Sequence, residues 1–262
     1  MKKVTVLGTG AWGTTMGQVL VDAGNDVLMW GRSQEVVHEI NTKNTNNGYL
    51  EGITLPKELR ATSDLTEAFA HSDFYVLAIP AQKLREALGE WKTQMKPNAT
   101  IVSTLKGIEV STQKRMSEII TEVLGTKKVA IITGPNLADE LILRQPAGAV
   151  AAAETQELAE YVQKVFRNKY YRVYTSTDLL GCELAGTFKN VIALAVGVSI
   201  GMGFGENTQA MLITRGLNEV ARLCAAHHAD PLSAAGLAGM GDLVASCGSP
   251  LSRNRTFGEV LG

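Results

Sequence analysis

The chain has 262 residues, of which 45% are apolar and 19% are charged, and it contains 26 glycines. This composition excludes a disordered or collagen-like chain, and the length is enough to bury the core of one large domain or two modest ones. The formal net charge of −1 excludes the overall basic field that bulk binding to nucleic acid or an anionic membrane requires.

The first two-thirds of the chain alternates apolar runs with segments of helical periodicity. Short, almost continuous apolar runs are typical of strands that are buried on both faces of a parallel sheet. The predicted strands are Val4–Leu7, Val27–Trp30, Phe74–Ile79, Thr100–Thr104, Val129–Thr133, Ala149–Ala152 and Arg172–Tyr174. Predicted helices between them include Trp12–Ala23, Gln82–Met95, Gln113–Leu124 and Gln156–Phe166. This alternation predicts an α/β fold of the Rossmann type, with a doubly wound, mostly parallel sheet.

The pattern changes after Thr175, and no strand is evident from Asp178 onward. One helical face is predicted to carry Leu212, Ile213, Leu217, Val220, Ala221 and Cys224. We therefore expect a sheet domain over residues 1–175 and an all-helical domain over residues 176–262, with a packed interface between them. The chain stops just after Asn254–Phe257 begins a helix, so we expect the helical domain to be incomplete.

No targeting or membrane-spanning segment is predicted. The N-terminal apolar run ends in a glycine-rich turn rather than a signal-peptide cleavage site, and the stretch Val191–Met202 is shorter than the ~20 residues of a spanning helix. The three cysteines, Cys182, Cys224 and Cys247, form no C-x-x-C pair. They indicate buried thiols in a reduced, cytoplasmic protein. We find no metal-ligand spacing, and we expect the histidines to be solvated.

Residues 8–13 read Gly-Thr-Gly-Ala-Trp-Gly, directly between the first strand and the first helix. This is the G-x-G-x-x-G pattern in the context that dinucleotide binding requires. Gly8 would permit the tight turn, Gly10 the approach of a pyrophosphate, and Gly13 close packing of helix against strand. The alternative is a glycine-rich turn that binds nothing.

Arg32 follows the second strand, where an NAD-selective site usually has a carboxylate. A guanidinium suits the 2′-phosphate of NADP, so we expect NADP to be preferred over NAD. The alternative is a solvated arginine at the end of a strand.

Two further polar segments follow buried-type strands. Lys106 comes after the strand at residues 100–104, and the segment Gly134–Ala138 comes after the strand at residues 129–133. Ligands in such sheets bind at the carboxyl ends of the strands, which favours roles for both segments. Lys106 could instead be a solvated loop residue.

Lys189 lies among small and apolar residues in the helical part of the chain. A buried lysine needs a partner or a lowered pKa, and either condition suits a proton donor to a carbonyl that is being reduced. Alternatively, Lys189 has no chemical role, and its long side chain simply carries the ammonium group from an apolar helix to the surface. Asp242 could balance Lys189, and the segment Ser252–Arg255 offers donors for a phosphate, or simply surface charge at the start of a helix.

Taken in order, these segments resemble the bacterial NAD(P)-dependent glycerol-3-phosphate dehydrogenase family from Lys3 to Gly262. The resemblance rests on residues 8–13, 103–109, 134–138, 188–192, 212–216, 241–243 and 249–255. It implies an enzyme that interconverts dihydroxyacetone phosphate and sn-glycerol 3-phosphate for phospholipid synthesis. The oligomeric state is not determined by the sequence, and a homodimer is one possibility.

The resemblance also implies residue roles. Implied cofactor contacts are Gly8, Gly10, Ala11, Trp12, Gly13, Arg32, Lys106, Ala138 and Arg253. Implied substrate contacts are Lys106, Gly134, Asn136, Lys189, Asn190, Asp242, Ser252, Arg253 and Asn254. Lys189 is the implied proton-transfer residue. Asn136 replaces the Ser or Thr of many members, and the family pattern continues beyond Gly262 with further helices.

Two other functions stay open at this point. One is a hydroxy-acid dehydrogenase with the same combination of a Rossmann domain and a helical domain. The other is a chain that binds a nucleotide without catalysis.

Overall fold

The computed structural model describes all residues, Met1 to Gly262. An eight-stranded sheet has the order β3-β2-β1-β4-β5-β6-β7-β8, and every neighbouring pair is parallel except β6 and β7. The strands are β1 Lys3–Leu7, β2 Asp26–Trp30, β3 Arg60–Thr62, β4 Phe74–Leu77, β5 Thr100–Ser103, β6 Val129–Thr133, β7 Ala147–Ala153 and β8 Tyr171–Ser176. The predicted fold class is confirmed.

Helices cover both faces of the sheet and form the rest of the chain. Those of the sheet region are α1 Ala11–Asp22, α2 Gln34–Lys43, α3 Leu65–His71, α4 Leu84–Trp91, α5 Met116–Leu124, α6 Ala138–Ile142 and α7 Gln156–Phe166, with a 3₁₀ turn at Ala81–Lys83. The later ones are α8 Leu179–Gly201, α9 Glu206–Ala226, α10 Leu232–Ala235, α11 Asp242–Gly248 and α12 Arg253–Leu261, with a π-helical turn at Leu237–Gly241. As predicted, no strand follows residue 178.

The two faces of the sheet carry separate cores. Alternate strand residues such as Val4 and Val6 join a cluster of 28 buried residues with α1 and α7. Their neighbours, such as Leu7, join a cluster of 16 buried residues with α3, α4 and α5. Because both faces are covered, the strands read as continuous apolar runs.

Two expectations were wrong in detail. The strand Arg60–Thr62 was missed because it has three residues at the sheet edge and only one, Ala61, is apolar. His71 is not solvated, since its side chain is 8% exposed and its Nε2 lies 3.1 Å from the carbonyl oxygen of Asp26. The three cysteines are free and buried, as expected.

Helix α8 is long and apolar enough, by length and composition alone, to cross a membrane. The helix begins at Leu179, twelve residues before the apolar stretch that starts at Val191. Its first turns include small buried residues such as Ala185 and Gly186. In the fold, it packs against α9, α11, α12 and the sheet. It also carries Glu183 and Lys189, which both form ion pairs. These contacts are typical of a core helix.

The strand order reverses between β1 and β4, which places a crevice at their carboxyl ends. The turn after β1 touches the residue after β4 there, since a Cβ on Gly8 would lie 2.3 Å from the carbonyl oxygen of Ala78. This crevice is where ligands bind in open α/β sheets.

Candidate active site

The glycine-rich turn after β1 has little room for side chains. Gly8 has a φ of +131°, and a Cβ on Gly13 would lie 2.1 Å from the carbonyl oxygen of Gly8. A Cβ on Gly10, by contrast, would meet nothing within 4 Å. Gly8 and Gly13 are therefore required for packing, while Gly10 leaves the backbone open to a ligand.

The N-terminus of α1 points free backbone donors at that opening. Gly10 is its N-cap residue and supplies no side-chain cap, and the first turn contains no acidic residue. Ala11 and Trp12, both partly exposed, are the first residues of the helix. Unsatisfied N–H groups and the positive end of the helix dipole favour an anion at this place.

Arg32 lies beside this turn. The preceding Gly31 packs against Thr9, because a Cβ there would lie 2.2 Å from the Thr9 Oγ1. Arg32 is exposed and has no ion-pair partner, while Ser33 accepts a hydrogen bond from the Val36 N–H as the cap of α2. The guanidinium is thus available to a ligand at the end of β2.

Lys106, Lys189 and Asp242 meet in one cluster, although they are far apart in sequence. Lys189 Nζ lies 2.8 Å from Asp242 Oδ1, and Lys106 Nζ contacts Asp242 Oδ2. The Asp242 side chain is only 3% exposed, compared with 13% for Lys189 and 23% for Lys106. One buried carboxylate is therefore shared by two ammonium groups.

Three separate elements bring these side chains together. Lys106 comes from the loop after β5, and the next residue, Gly107, donates a backbone hydrogen bond to Thr187 on α8 at 3.2 Å. Lys189 lies in the following half-turn of α8. Asp242 begins α11 directly after the π-helical turn, in which the Gly241 N–H reaches back to the Gly236 carbonyl oxygen.

The cluster carries one positive charge in excess in a poorly solvated place. Burial lowers the pKa of Lys189, the charge of Lys106 lowers it further, and Asp242 opposes both effects. Two cations around one carboxylate can stabilise added negative charge, such as a phosphate or a developing alkoxide.

Each lysine keeps one donor for a ligand. An ammonium group has three N–H bonds. Lys189 gives two of them to Asp242 and Ser246, and Lys106 gives two to Asp242 and to the Gly134 carbonyl oxygen, the last at 3.3 Å. The third N–H of each is left for a molecule in the crevice.

The segment after β6 forms the next wall of the site. Gly134 has a φ of +140°, and Ala138 begins α6. Between them, the Asn136 amide has both polar atoms buried and without a hydrogen-bond partner. Unpaired buried polar atoms are costly, so they fit a site whose ligand supplies the missing partners.

The start of α12 joins the site through asparagines. Asn254 Nδ2 donates to Asn190 Oδ1 at 2.9 Å, and Asn190 directly follows Lys189. Ser252 is buried and caps α12 by accepting from the Arg255 N–H at 3.4 Å. Arg253 is exposed and has no ion-pair partner.

The cluster thus contains Lys106, Lys189, Asp242 and the Gly134 carbonyl, and Asn190 and Asn254 pair beside it. Gly8 to Gly13 and Arg32 form a separate group at the end of β1 and β2, on the same edge of the sheet.

Sequence reasoning missed two polar groups of the site. Ser246 contacts Lys189, and it lies four residues after Asp242, so helical spacing could have placed the two on one face. The Thr133 hydroxyl is buried and unpartnered beside Gly186. No sequence signal separates Thr133 from an ordinary residue at a strand end.

Comparison with known proteins decides the family. Residues 3–159 match the model of the NAD-dependent glycerol-3-phosphate dehydrogenase N-terminus, and residues 178–262 match that of the C-terminus. The chain belongs to this dehydrogenase family. Its predicted family resemblance is confirmed.

Curated members of the family are similar along the whole chain. The glycerol-3-phosphate dehydrogenase [NAD(P)+] of Thermobifida fusca is 54% identical, over 100% of this chain and 79% of that protein. The corresponding protein of Corynebacterium diphtheriae is 52% identical, over 99% of this chain and 79% of that protein. The crystal structure of glycerol-3-phosphate dehydrogenase from Coxiella burnetii superposes with a TM-score of 0.93 at 32% identity, over 99% of this chain and 80% of that one.

Proposed function

We propose that this chain interconverts dihydroxyacetone phosphate and sn-glycerol 3-phosphate with NADP(H) or NAD(H), and so supplies glycerol 3-phosphate for phospholipid synthesis. The observation that carries the proposal is the buried Asp242 carboxylate shared by Lys106 and Lys189, in a chain of this dehydrogenase family. These groups lie at the carboxyl edge of the sheet, where a substrate would meet the cofactor.

The dinucleotide fits the free backbone donors at the start of α1 and the open approach at Gly10. The turn at Gly8–Gly13 would hold the pyrophosphate, Arg32 the adenosine end, and Lys106, Ala138 and Arg253 the nicotinamide half. When bound, the nicotinamide supplies or accepts the hydride.

Lys189 holds the proton that the ketone oxygen receives. In the direction of reduction, its ammonium group donates to the developing alkoxide, and in the reverse direction its amine removes the hydroxyl proton. Asp242 keeps the lysine charged, and together with Ser246 it fixes the ammonium nitrogen. Lys106 adds a second positive charge beside the reacting oxygen.

The phosphate group of the substrate is bound by the start of α12. Ser252, Arg253 and Asn254 place a helix N-terminus, a guanidinium and an amide together, and Asn190 orients Asn254. Asn136 and the Gly134 backbone line the remaining wall. Binding energy from the phosphate would orient the carbonyl for reaction.

A purified-protein assay tests the activity. With NADPH, we expect reduction of dihydroxyacetone phosphate, and much weaker reduction of dihydroxyacetone, which lacks the phosphate anchor. Lys189→Ala should lower kcat by about 10²–10⁴-fold, because it removes the proton donor. Lys164→Ala, an exposed position on α7, is the matched control and should have no effect.

Three outcomes contradict the proposal. Undiminished turnover of Lys189→Ala excludes its proton role. Preference for a hydroxy acid over the phosphate ester supports the other dehydrogenase hypothesis. NADPH binding without any turnover supports a chain that only binds the nucleotide.

We further propose that Arg32 makes NADP the preferred cofactor. Arg32→Gln should lower kcat/KM for NADPH roughly tenfold to a hundredfold, the size of a charge-assisted hydrogen bond, while kcat/KM for NADH changes little. Equal losses with the two cofactors would show that Arg32 does not read the 2′-phosphate. Cytoplasmic location, a homodimer and the domain boundary at residues 175 and 176 stay predictions.

A further inference from the structure

One fully buried tyrosine lies behind the substrate wall and has no part in the proposed chemistry. The Tyr171 side chain, at the start of β8, is 0% exposed. Its hydroxyl has no hydrogen-bond partner, and the same is true of both polar atoms of the Asn136 amide. Orphaned buried polar groups are rare in folded proteins, so two side by side call for an explanation.

The sheet brings these two residues together. Tyr171 pairs in register with Ala147 on β7, and the next residue, Gly148, packs against Gly134. A Cβ on Gly134 would lie 3.0 Å from the Gly148 carbonyl oxygen and 3.6 Å from Asn136 Nδ2. Gly134, whose carbonyl oxygen accepts from Lys106, therefore links this part of the sheet to the lysine cluster, and Asn136 lies two residues further along the chain.

The chemistry of the hydroxyl agrees with this placement. Burial raises the pKa of the Tyr171 hydroxyl. The polar Asn136 amide nearby has the opposite, smaller effect on that pKa. The hydroxyl stays neutral at physiological pH and can both donate and accept a hydrogen bond. Because Tyr171 is fully buried, it does not contact a ligand in the crevice directly, and Asn136 is a polar neighbour that links it to the substrate wall.

We propose that Tyr171 is a positioning residue for the substrate. When substrate occupies the site, its hydroxyl would bond to one end of the Asn136 amide, so that the other end faces the substrate. An asparagine amide has two polar atoms at the end of a longer side chain than that of serine, which suits it to contacts on two sides. Tyr171 and Asn136 thus act as a pair, and the inference rests on the proposed function of the site.

A double-mutant cycle tests this pairing. The proteins are the unmodified chain, Tyr171→Phe, Asn136→Ser and the double variant. The measurements are kcat and KM for dihydroxyacetone phosphate with NADPH, the Kd for sn-glycerol 3-phosphate by calorimetry, and Tm. Tyr170→Phe is the matched control, since its hydroxyl donates to Asp22 Oδ2 at 2.7 Å, at the α1 side of the sheet.

We expect Tyr171→Phe to raise the substrate KM and Kd about fivefold to tenfold, with kcat and the KM for NADPH within twofold. In the Asn136→Ser background, the same substitution should have no further effect. If Tyr171 has only a structural role, Tyr171→Phe should lower Tm, and its effect on KM and Kd should be the same whether residue 136 is Asn or Ser. Tyr170→Phe should leave KM and Kd unchanged.

Two results would overturn the inference alone: unchanged KM and Kd in Tyr171→Phe, or an equal fold-change in both backgrounds. A chain that binds sn-glycerol 3-phosphate but does not turn over still tests the pairing through Kd. A chain that neither binds nor turns over the substrate overturns the proposed function, and the inference with it.

Discussion

At the scale of single residues, the site depends on one carboxylate, that of Asp242, which forms ion pairs with two lysines. Asp242 is nearly inaccessible to water, so its charge is weakly screened and its contacts with Lys106 and Lys189 are strong. Lys189 experiences opposite influences, because burial and Lys106 lower its pKa while Asp242 raises it. The net result is a lowered pKa, so the Lys189 ammonium gives up its proton more readily than that of a free lysine.

The first prediction concerns Asp242→Asn. Removing the carboxylate leaves two partly buried ammonium groups beside each other without their shared counter-charge, so the pKa of Lys189 falls further. Reduction needs the ammonium form, so kcat/KM should fall as pH rises through this pKa, and the variant should lose activity at a lower pH than the unmodified protein. Breaking the buried pair should also lower the free energy of unfolding by about 3–5 kcal/mol.

Rate profiles against pH and urea unfolding measure the two effects. Asp230→Asn is a suitable control, because Asp230 is exposed and its carboxylate accepts only from the Leu232 N–H. A descending limb at the same pH in Asp242→Asn and in the unmodified protein would contradict the role given to Asp242.

At the scale of elements, glycines set the distance between α8 and α12. A Cβ on Gly197 would lie 2.0 Å from the Arg255 carbonyl oxygen, and one on Gly258 would lie 2.2 Å from the Leu194 carbonyl oxygen. The two backbones are therefore in direct contact. This contact holds Arg253 and Asn254, at the start of α12, beside the turn of α8 that carries Lys189.

The second prediction is that Gly197→Ala moves α12 away from α8. The added methyl group meets backbone atoms that cannot rotate aside, so the free energy of unfolding should fall by roughly 1–3 kcal/mol. The KM for dihydroxyacetone phosphate should rise because its phosphate contacts move with α12. Urea unfolding and steady-state kinetics check both changes.

Gly89→Ala is the matched control for this substitution. Gly89 lies within α4, and a Cβ there meets nothing within 4 Å. Since alanine is the better helix former, this variant should gain about 0.5–1 kcal/mol and keep its KM. Equal stability of the two variants would show that α12 adapts to the methyl group.

At the scale of the whole molecule, a buried ion pair joins the sheet region to the helical region. The Glu183 carboxylate on α8 accepts from the Ser117 N–H at 2.9 Å and from Arg115 Nη1 at 2.7 Å. The Ser117 hydroxyl donates to it as well, at 2.6 Å. Glu183 is 3% exposed, so these bonds are made away from water.

The third prediction is that Glu183→Ala lowers the free energy of unfolding by about 3–5 kcal/mol, because it leaves the buried Ser117 donors without their acceptor and removes the ion pair with Arg115. Urea unfolding measures the loss. Glu86→Ala, which removes an exposed ion pair with Lys83, should cost less than about 1 kcal/mol. A loss in Glu183→Ala as small as in this control would mean that water replaces the missing carboxylate.

The sequence by itself determined the fold class and the main parts of the site. Continuous apolar runs indicated strands covered on both faces, and the spacing of Gly8, Gly10 and Gly13 between a strand and a helix indicated the dinucleotide turn. These signals are local, because each depends on residues a few positions apart. The edge strand Arg60–Thr62 escaped prediction because its pairing with β2, rather than its composition, makes it a strand.

Only the tertiary structure decided which polar residues act together. That Asp242 is shared by Lys106 and Lys189, that Ser246 is their neighbour, and that Tyr171 lies behind Asn136 depend on how a loop, two helices and two strands pack. Sequence patterns report the period and burial of each segment, but distances between distant segments follow from packing of the whole core. Charge sharing and hydrogen bonding act over a few ångströms, so these distances determine the chemistry of the site.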